Sequence, residues 1–183
     1  KLDEIVKLSL LKEKSIDEIQ EIWCKYHEQQ QNCFGKTILP QVATTALKRA
    51  HESPYFVLPV FRGDGHFVLV CQAQPPHWLL AFLGDYQTDP GNAKPLLCLS
   101  IFDDLVHRET AGGEVNEQKN GQSLGPALLR ADFTPDLSHN ESGQLVSWLM
   151  EHYTDDAKYT LVENFNHKPE EFSMEEFIKS LKP

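Results

Sequence analysis

Tyr55-Phe-Val-Leu-Pro-Val-Phe-Arg-Gly-Asp-Gly-His-Phe-Val-Leu-Val-Cys-Gln-Ala73 is the stretch whose reading decides the architecture. Two apolar runs, rich in β-branched and aromatic residues, flank Arg62-Gly63-Asp64-Gly65. Glycine takes positive φ without steric cost, so the four residues read as the turn of a β-hairpin, with Gly63 and Gly65 free to make the reversal. Both strands are apolar at nearly every position. They must be covered on both faces or used to bind something. No catalytic signature sits inside the hairpin, which tilts the reading from chemistry toward recognition.

Working outward, Pro75-Pro76 ends the second strand and a third is expected over residues 77–82. Residues 84–90 make a turn or a single helical turn carrying Asp85-Tyr86-Gln87. Further strands are expected over 96–101, 127–133 and 159–165, with a short helix over 102–108. Residues 110–123 are polar, contain glycine and have no apolar period. The chain is therefore expected to hold a mobile loop at 109–123. Upstream, Leu2, Ile5, Val6, Leu8 and Leu10 give a short helical pattern. Ser15 with Glu18 forms a capping box for a second helix, whose face is Ile16, Ile19, Ile22, Trp23 and Tyr26. That helix ends at residues 32–35. Pro40 opens a third helix, which the Ser53-Pro54 step stops. Downstream, Ser138 with Glu141 caps a helix through Leu145, Trp148, Leu149 and His152, and Ser173 with Glu176 caps one through Phe177, Ile178 and Leu181. Helices at both ends and strands between, without regular alternation, predict an α+β fold: a largely antiparallel sheet flanked by helices from the N- and C-terminal regions. No repeat or linker divides residues 1–183, so a single domain is expected.

The chain has 183 residues, 40% hydrophobic and 24% charged, an ordinary globular composition. No apolar run approaches the roughly 18 residues that span a bilayer, so membrane insertion is not expected. The formal charge is −10, with 17 basic against 27 acidic residues, which argues against a nucleic-acid partner. Residues 1–52 balance at eight acids and eight bases, so the excess lies in the rest of the chain. Cys24, Cys33, Cys71 and Cys98 are dispersed, without a Cys-x-x-Cys pair, and read as reduced thiols. Lys1 begins directly in helical sequence, so any targeting peptide has been removed or was never included.

Gly121-Gln-Ser123-Leu-Gly125 matches the nucleophile elbow of α/β-hydrolases, and makes a serine hydrolase using Ser123 the enzymatic alternative. Its setting disfavours that reading, because a polar loop precedes it where a buried strand is required. Cys71, His77 and Asp85 hold the residue types of a thiol triad, but Cys71 falls mid-strand among apolar neighbours and reads as an inert core thiol. His66, Cys71 and His77 lack metal-site spacing, and Asp103-Asp104 reads as a helix start. No phosphate-cradling glycine loop is present, so no cofactor is expected. Arg62-Gly63-Asp64 is explained as turn residues, and Asn140-Glu141-Ser142 as a chance acceptor triplet. Trp23, Trp148 and Phe177 sit at core spacing. Pro59, Phe61, Arg62, Trp78 and Tyr86 are the candidate contacts for a protein partner, with core membership the competing reading for the aromatics.

Three blocks carry a family resemblance. They are Leu2-Asp-Glu-Ile-Val-Lys-Leu8 running into Glu18-Ile-Gln-Glu-Ile-Trp-Cys-Lys-Tyr-His27, Phe56-Val-Leu-Pro-Val-Phe61 with Asp85-Tyr-Gln87, and the ending over 159–181. Together the chain resembles the mitochondrial ATP synthase assembly factor 1 family, over nearly its whole length. The resemblance implies a mitochondrial matrix chaperone that binds the unassembled beta subunit of the catalytic head, keeps it soluble and yields it to the alpha subunit. It implies no catalytic residue and no cofactor. The polar segment 109–123 is longer than the resemblance leads one to expect.

Overall fold

The structure, a computed structural model, describes residues 2–106 and 125–182. Among these, six strands form one sheet in the order β1-β6-β5-β4-β3-β2, every neighbour antiparallel. The strands are β1 (Cys33–Ile38), β2 (Tyr55–Arg62), β3 (Gly65–Gln74), β4 (His77–Phe82), β5 (Pro95–Phe102) and β6 (Ala127–Phe133). The helices are α1 (Leu8–Leu11), α2 (Ile16–Glu28), α3 (Pro40–Glu52), α4 (Leu83–Thr88), α5 (His139–Thr154), α6 (Asp156–His167) and α7 (Met174–Leu181). The expected α+β class and antiparallel sheet are what the chain adopts. The sheet is curled.

The hairpin is β2–β3. Arg62 pairs with Gly65 across the turn, and Gly63 alone takes positive φ, at 55°. Positive φ at the first central position suits the right-handed twist of a two-residue hairpin. Gly65 instead belongs to β3. The inner face of the meander carries Phe56, Leu58, Leu69, Cys71, Trp78 and Leu80, all fully buried. α3, α5, α6 and α7 cover it. Ala43, Ala46 and Ala50 are buried on one side of α3, small enough to let that helix approach closely.

Polar side chains finish what the helix ends leave open. The last carbonyls of a helix have no intrahelical partner. At the end of α3, Tyr153 Oη donates to the Ser53 carbonyl at 2.8 Å, and His167 Nε2 lies 3.0 Å from the Glu52 carbonyl. Ser53 Oγ joins Tyr159 Oη at 3.0 Å, and the Arg49 guanidinium lies over the Tyr159 ring, 4.3 Å from its centroid. Three helices are thereby fixed at one corner.

Two expectations are corrected. Residues 159–165 are helix, not strand: Asp155 accepts the Lys158 N–H at 2.9 Å as N-cap, and Tyr159 and Val162 are buried one turn apart. The helix expected over 102–108 is also absent where described, because β5 runs through Phe102 and a turn follows. A strand was missed as well. β1 is held by register with β6, Phe34 opposite Ala131, after Asn32 reverses the chain at φ 55°. The expected mobile loop at 109–123 lies outside the described residues.

α2 packs on the other face of the sheet, over β1 and β6. Ser15 and Glu18 form the expected reciprocal capping box at its start. Trp23 is fully buried, and its Nε1–H donates to the Leu129 carbonyl at 2.9 Å. His27 is buried beside it with Nδ1 2.8 Å from the Trp23 carbonyl, and burial pushes its pKa down. Both rings lie directly over Gly35, where a Cβ would come within 2.6 Å of Trp23 Nε1 and of His27 Nδ1. Gly35→Ala should therefore cost about 1–3 kcal/mol, the range of overpacked cores. Urea denaturation is expected to give a lower midpoint with an unchanged slope. An unchanged midpoint would mean that α2 does not lie on β1 in this way.

Candidate partner-binding surface

Of the five candidate contacts, the hairpin brings three together. Pro59, Phe61 and Arg62 lie on β2 toward the hairpin tip. Pro59 is buried, Phe61 half-buried and Arg62 exposed. The Phe61 ring lies edge-on to Trp148 of α5, with centroids 6.2 Å apart, and 5.9 Å from His66.

Phe61 is also the shared wall of two open grooves. One, of 240 Å³, runs between β2 and α5 and includes Pro59, Leu145 and Trp148. The other, of 500 Å³, runs between the hairpin tip and α7 and includes His66, Met174 and Ile178. Glu175 and Lys179 edge the second groove with charge. A half-buried aromatic between two apolar grooves with a polar rim is the layout of a protein-contact hot spot.

Arg62 has an internal task. Its Nε and Nη2 donate to the two Glu141 carboxylate oxygens at 2.6 and 3.1 Å, and Nη2 also donates to the Asp136 carbonyl at 2.5 Å. Its guanidinium lies over Phe67, 5.0 Å from the ring centroid. Glu141 meanwhile accepts the Ser138 N–H at 2.7 Å as the reciprocal half of the α5 capping box. The Arg62 guanidinium, helped by Ser138, holds the Glu141 carboxyl down at about 2. The Arg62 side chain is thus tied to α5 rather than free for a partner.

The other two candidates lie elsewhere. Trp78 is fully buried and packs edge-on against Tyr153 at 6.0 Å, so it belongs to the core and offers no surface contact. Tyr86 lies on α4 and lines a small cleft together with Val70, Leu79 and Ala81, and its hydroxyl pKa is raised by burial and by a hydrogen bond to Tyr55. Tyr55 begins β2 and Phe61 nearly ends it, about 20 Å apart at ~3.3 Å per residue. Trp23 and Phe177 are buried as their spacing suggested, and Trp148 is half-buried.

Cys71 is fully buried on the inner face, and burial pushes its thiol pKa up. His77 faces the opposite side, where its Nδ1 lies 2.8 Å from Ser100 Oγ, so no thiol triad assembles. Among the described residues, no group of three His, Cys, Asp or Glu side chains is arranged to hold a metal ion. No described helix is long and apolar enough to cross a membrane. Ser123 lies outside the described residues. The sequence reading did not find the grooves, because Trp148, Met174 and Ile178 come from distant helices. Only their apolar character was visible.

The family model described as ATP11 protein matches residues 1–178. The chain belongs to the ATP11 family. This is the ATP synthase assembly factor 1 family, a mitochondrial family of assembly factors rather than of enzymes, and its members act in ATP synthase assembly. A search of curated proteins finds no match. In this ATP11 chain the hairpin tip and α5 are joined by an ion pair whose acid is strongly stabilised. A carboxyl with a depressed folded pKa contributes stability that is fully present above its ordinary value and lost as pH falls through the folded one. Stability should therefore fall between pH of about 4.5 and about 2 in part through Glu141. Glu141→Gln should be less stable at neutral pH, and its difference from the parent chain should vanish toward pH 2 in thermal melts. A pH-independent difference would contradict this account.

Proposed function

We propose that this chain is a non-enzymatic chaperone of the mitochondrial matrix that binds the unassembled beta subunit of the ATP synthase catalytic head. It keeps that subunit from aggregating and yields it to the alpha subunit. The observation that carries the reading is Phe61, half-buried between two open apolar grooves at the free end of the hairpin. An orphan subunit exposes the apolar surface that its neighbour will later cover, and such surface drives aggregation. A partner that offers a shallow apolar surface can mask it and is displaced when the native neighbour buries a larger area. The net charge of −10 keeps the chaperone itself soluble while it carries that surface. Masking and release by displacement require neither a nucleophile nor nucleotide hydrolysis.

The reading is tested by mixing the purified chain with isolated beta subunit and following light scattering. Equimolar chain should suppress aggregation without ATP turnover, and added alpha subunit should release it. Phe61→Ala, which alters the wall common to both grooves, and Ile178→Ser, which alters only the groove beside α7, should each weaken binding. Truncation of the anchoring aromatic is expected to cost about 2 kcal/mol, roughly 30-fold in affinity. Failure of the parent chain to bind or protect the beta subunit would overturn the reading.

A further inference from the structure

The sheet has two outer edges, and they are treated differently. At β2 the edge is closed. The Asn166 side chain accepts the Tyr55 N–H at 3.0 Å and donates to the Tyr55 carbonyl at 2.5 Å, taking the place of a neighbouring strand. Pro59 removes a donor from the middle of the same strand, and α6 and α7 lie against it. At β1, among the described residues, the only paired strand is β6, and the strand contains no proline. The Gly35 carbonyl accepts the Cys24 thiol, a weak donor, at 3.6 Å, and an edge so lightly held is a ready template for another strand.

That edge lies along an open groove of 770 Å³. Cys33, Phe34, Gly35 and Lys36 of the strand line it. One wall is the end of α2 with the residues after it, including Gln30. The other is the start of α5, with Asn140, Gly143 and Gln144. Three of these wall residues are uncharged amides, each able to donate and to accept. Glu28 and Lys36 add one charge of each sign to the lining, and the amides with the strand edge suit the peptide groups of an extended segment. Gly143 adds clearance, because a Cβ built there meets nothing within 4 Å.

From this arrangement, and resting on the chaperone reading above, we infer that β1 receives an extended segment of the unassembled subunit as a seventh strand. The walls decide the occupant. Two copies of this chain would each bring an edge recessed between helices, and these walls would meet before the edges did. A single extended segment enters freely. Asn140 and Gln144 also line the groove beside Phe61, so the strand site and the apolar grooves are continuous around the start of α5. The subunit is held by its backbone on one side of that helix and by its apolar side chains on the other. Strand addition supplies affinity through main-chain hydrogen bonds, and pockets supply selectivity.

Gly143→Trp fills the groove from a position facing open space, and Gly143→Ala is the control that leaves it open. Both variants should keep the parent's circular dichroism spectrum. The affinity for isolated beta subunit, measured by biolayer interferometry, should fall at least about tenfold for Gly143→Trp and stay within about twofold for Gly143→Ala. A photo-crosslinking residue at Gln144 in the otherwise unaltered chain should capture one contiguous segment of the subunit. If the parent chain binds and Gly143→Trp binds equally well, the strand site is overturned while the chaperone reading stands. If the parent chain does not bind, both fall. A parent dimer in sedimentation that Gly143→Trp dissociates would assign the groove to a second copy and overturn the inference.

Discussion

The first turn of α5 reaches both edges of the sheet, and the rest of the structure depends on that contact. His139 packs against Phe34 of β1 with ring centroids 5.3 Å apart. Two residues later, Glu141 takes the bidentate ion pair from Arg62 at the end of β2. In a flat sheet those edges would stand about five strand spacings apart, near 24 Å, whereas one helical turn rises only about 5.4 Å. The curl of the sheet makes the double contact possible. The same curl wraps the inner face around α5, so that Leu145, Leu149 and Tyr153 all reach the core. The capping box orients Glu141, and Arg62 then fixes the hairpin tip relative to the helix.

Function follows from what this clamp leaves uncovered. α3, α6 and α7 bury the inner face and close β2, and α2 covers β1 and β6 from the other side through Trp23 and Gly35. Open grooves remain on either side of the start of α5 and beside α7. Membership of the ATP11 family assigns the chain to ATP synthase assembly, and such work requires reversible contact with polypeptide. Shallow apolar grooves next to a lightly held strand edge suit that purpose better than an enclosed pocket would. An enclosed pocket fixes a small ligand by burying most of its surface.

Much of the fold was legible because the decisive signals are local. The hairpin announced itself by Gly63 and by strands of β-branched and aromatic residues, and β4 and β6 fall where they were expected. The capping boxes at Ser15 and Ser138 marked two helices, and both are reciprocal in the structure. The failures share one physical cause: tertiary context outweighed local preference. Tyr159, Thr160 and Val162 favour strands in isolation, yet the cap at Asp155 and the contact of Tyr159 with Ser53 make the segment a helix. β1 contains Gly35 and Lys36 and little apolar periodicity, so only its pairing with β6 makes it a strand. Phe61 was legible as a candidate anchor because it ends an apolar strand. Trp78 looked equivalent in sequence, but its place on the inner face could be read only from the assembled sheet.

The proposed chaperone would hold the unassembled beta subunit at the open end of the curled sheet, around the start of α5. Hydrogen–deuterium exchange of this chain, alone and with isolated beta subunit, tests it directly. On complex formation the amides of β1, the hairpin tip and α7 should exchange more slowly, while those around Tyr86 on α4 keep their free rates. Protection confined to α4 and the Tyr55 end of the hairpin, or no protection anywhere, would contradict the account.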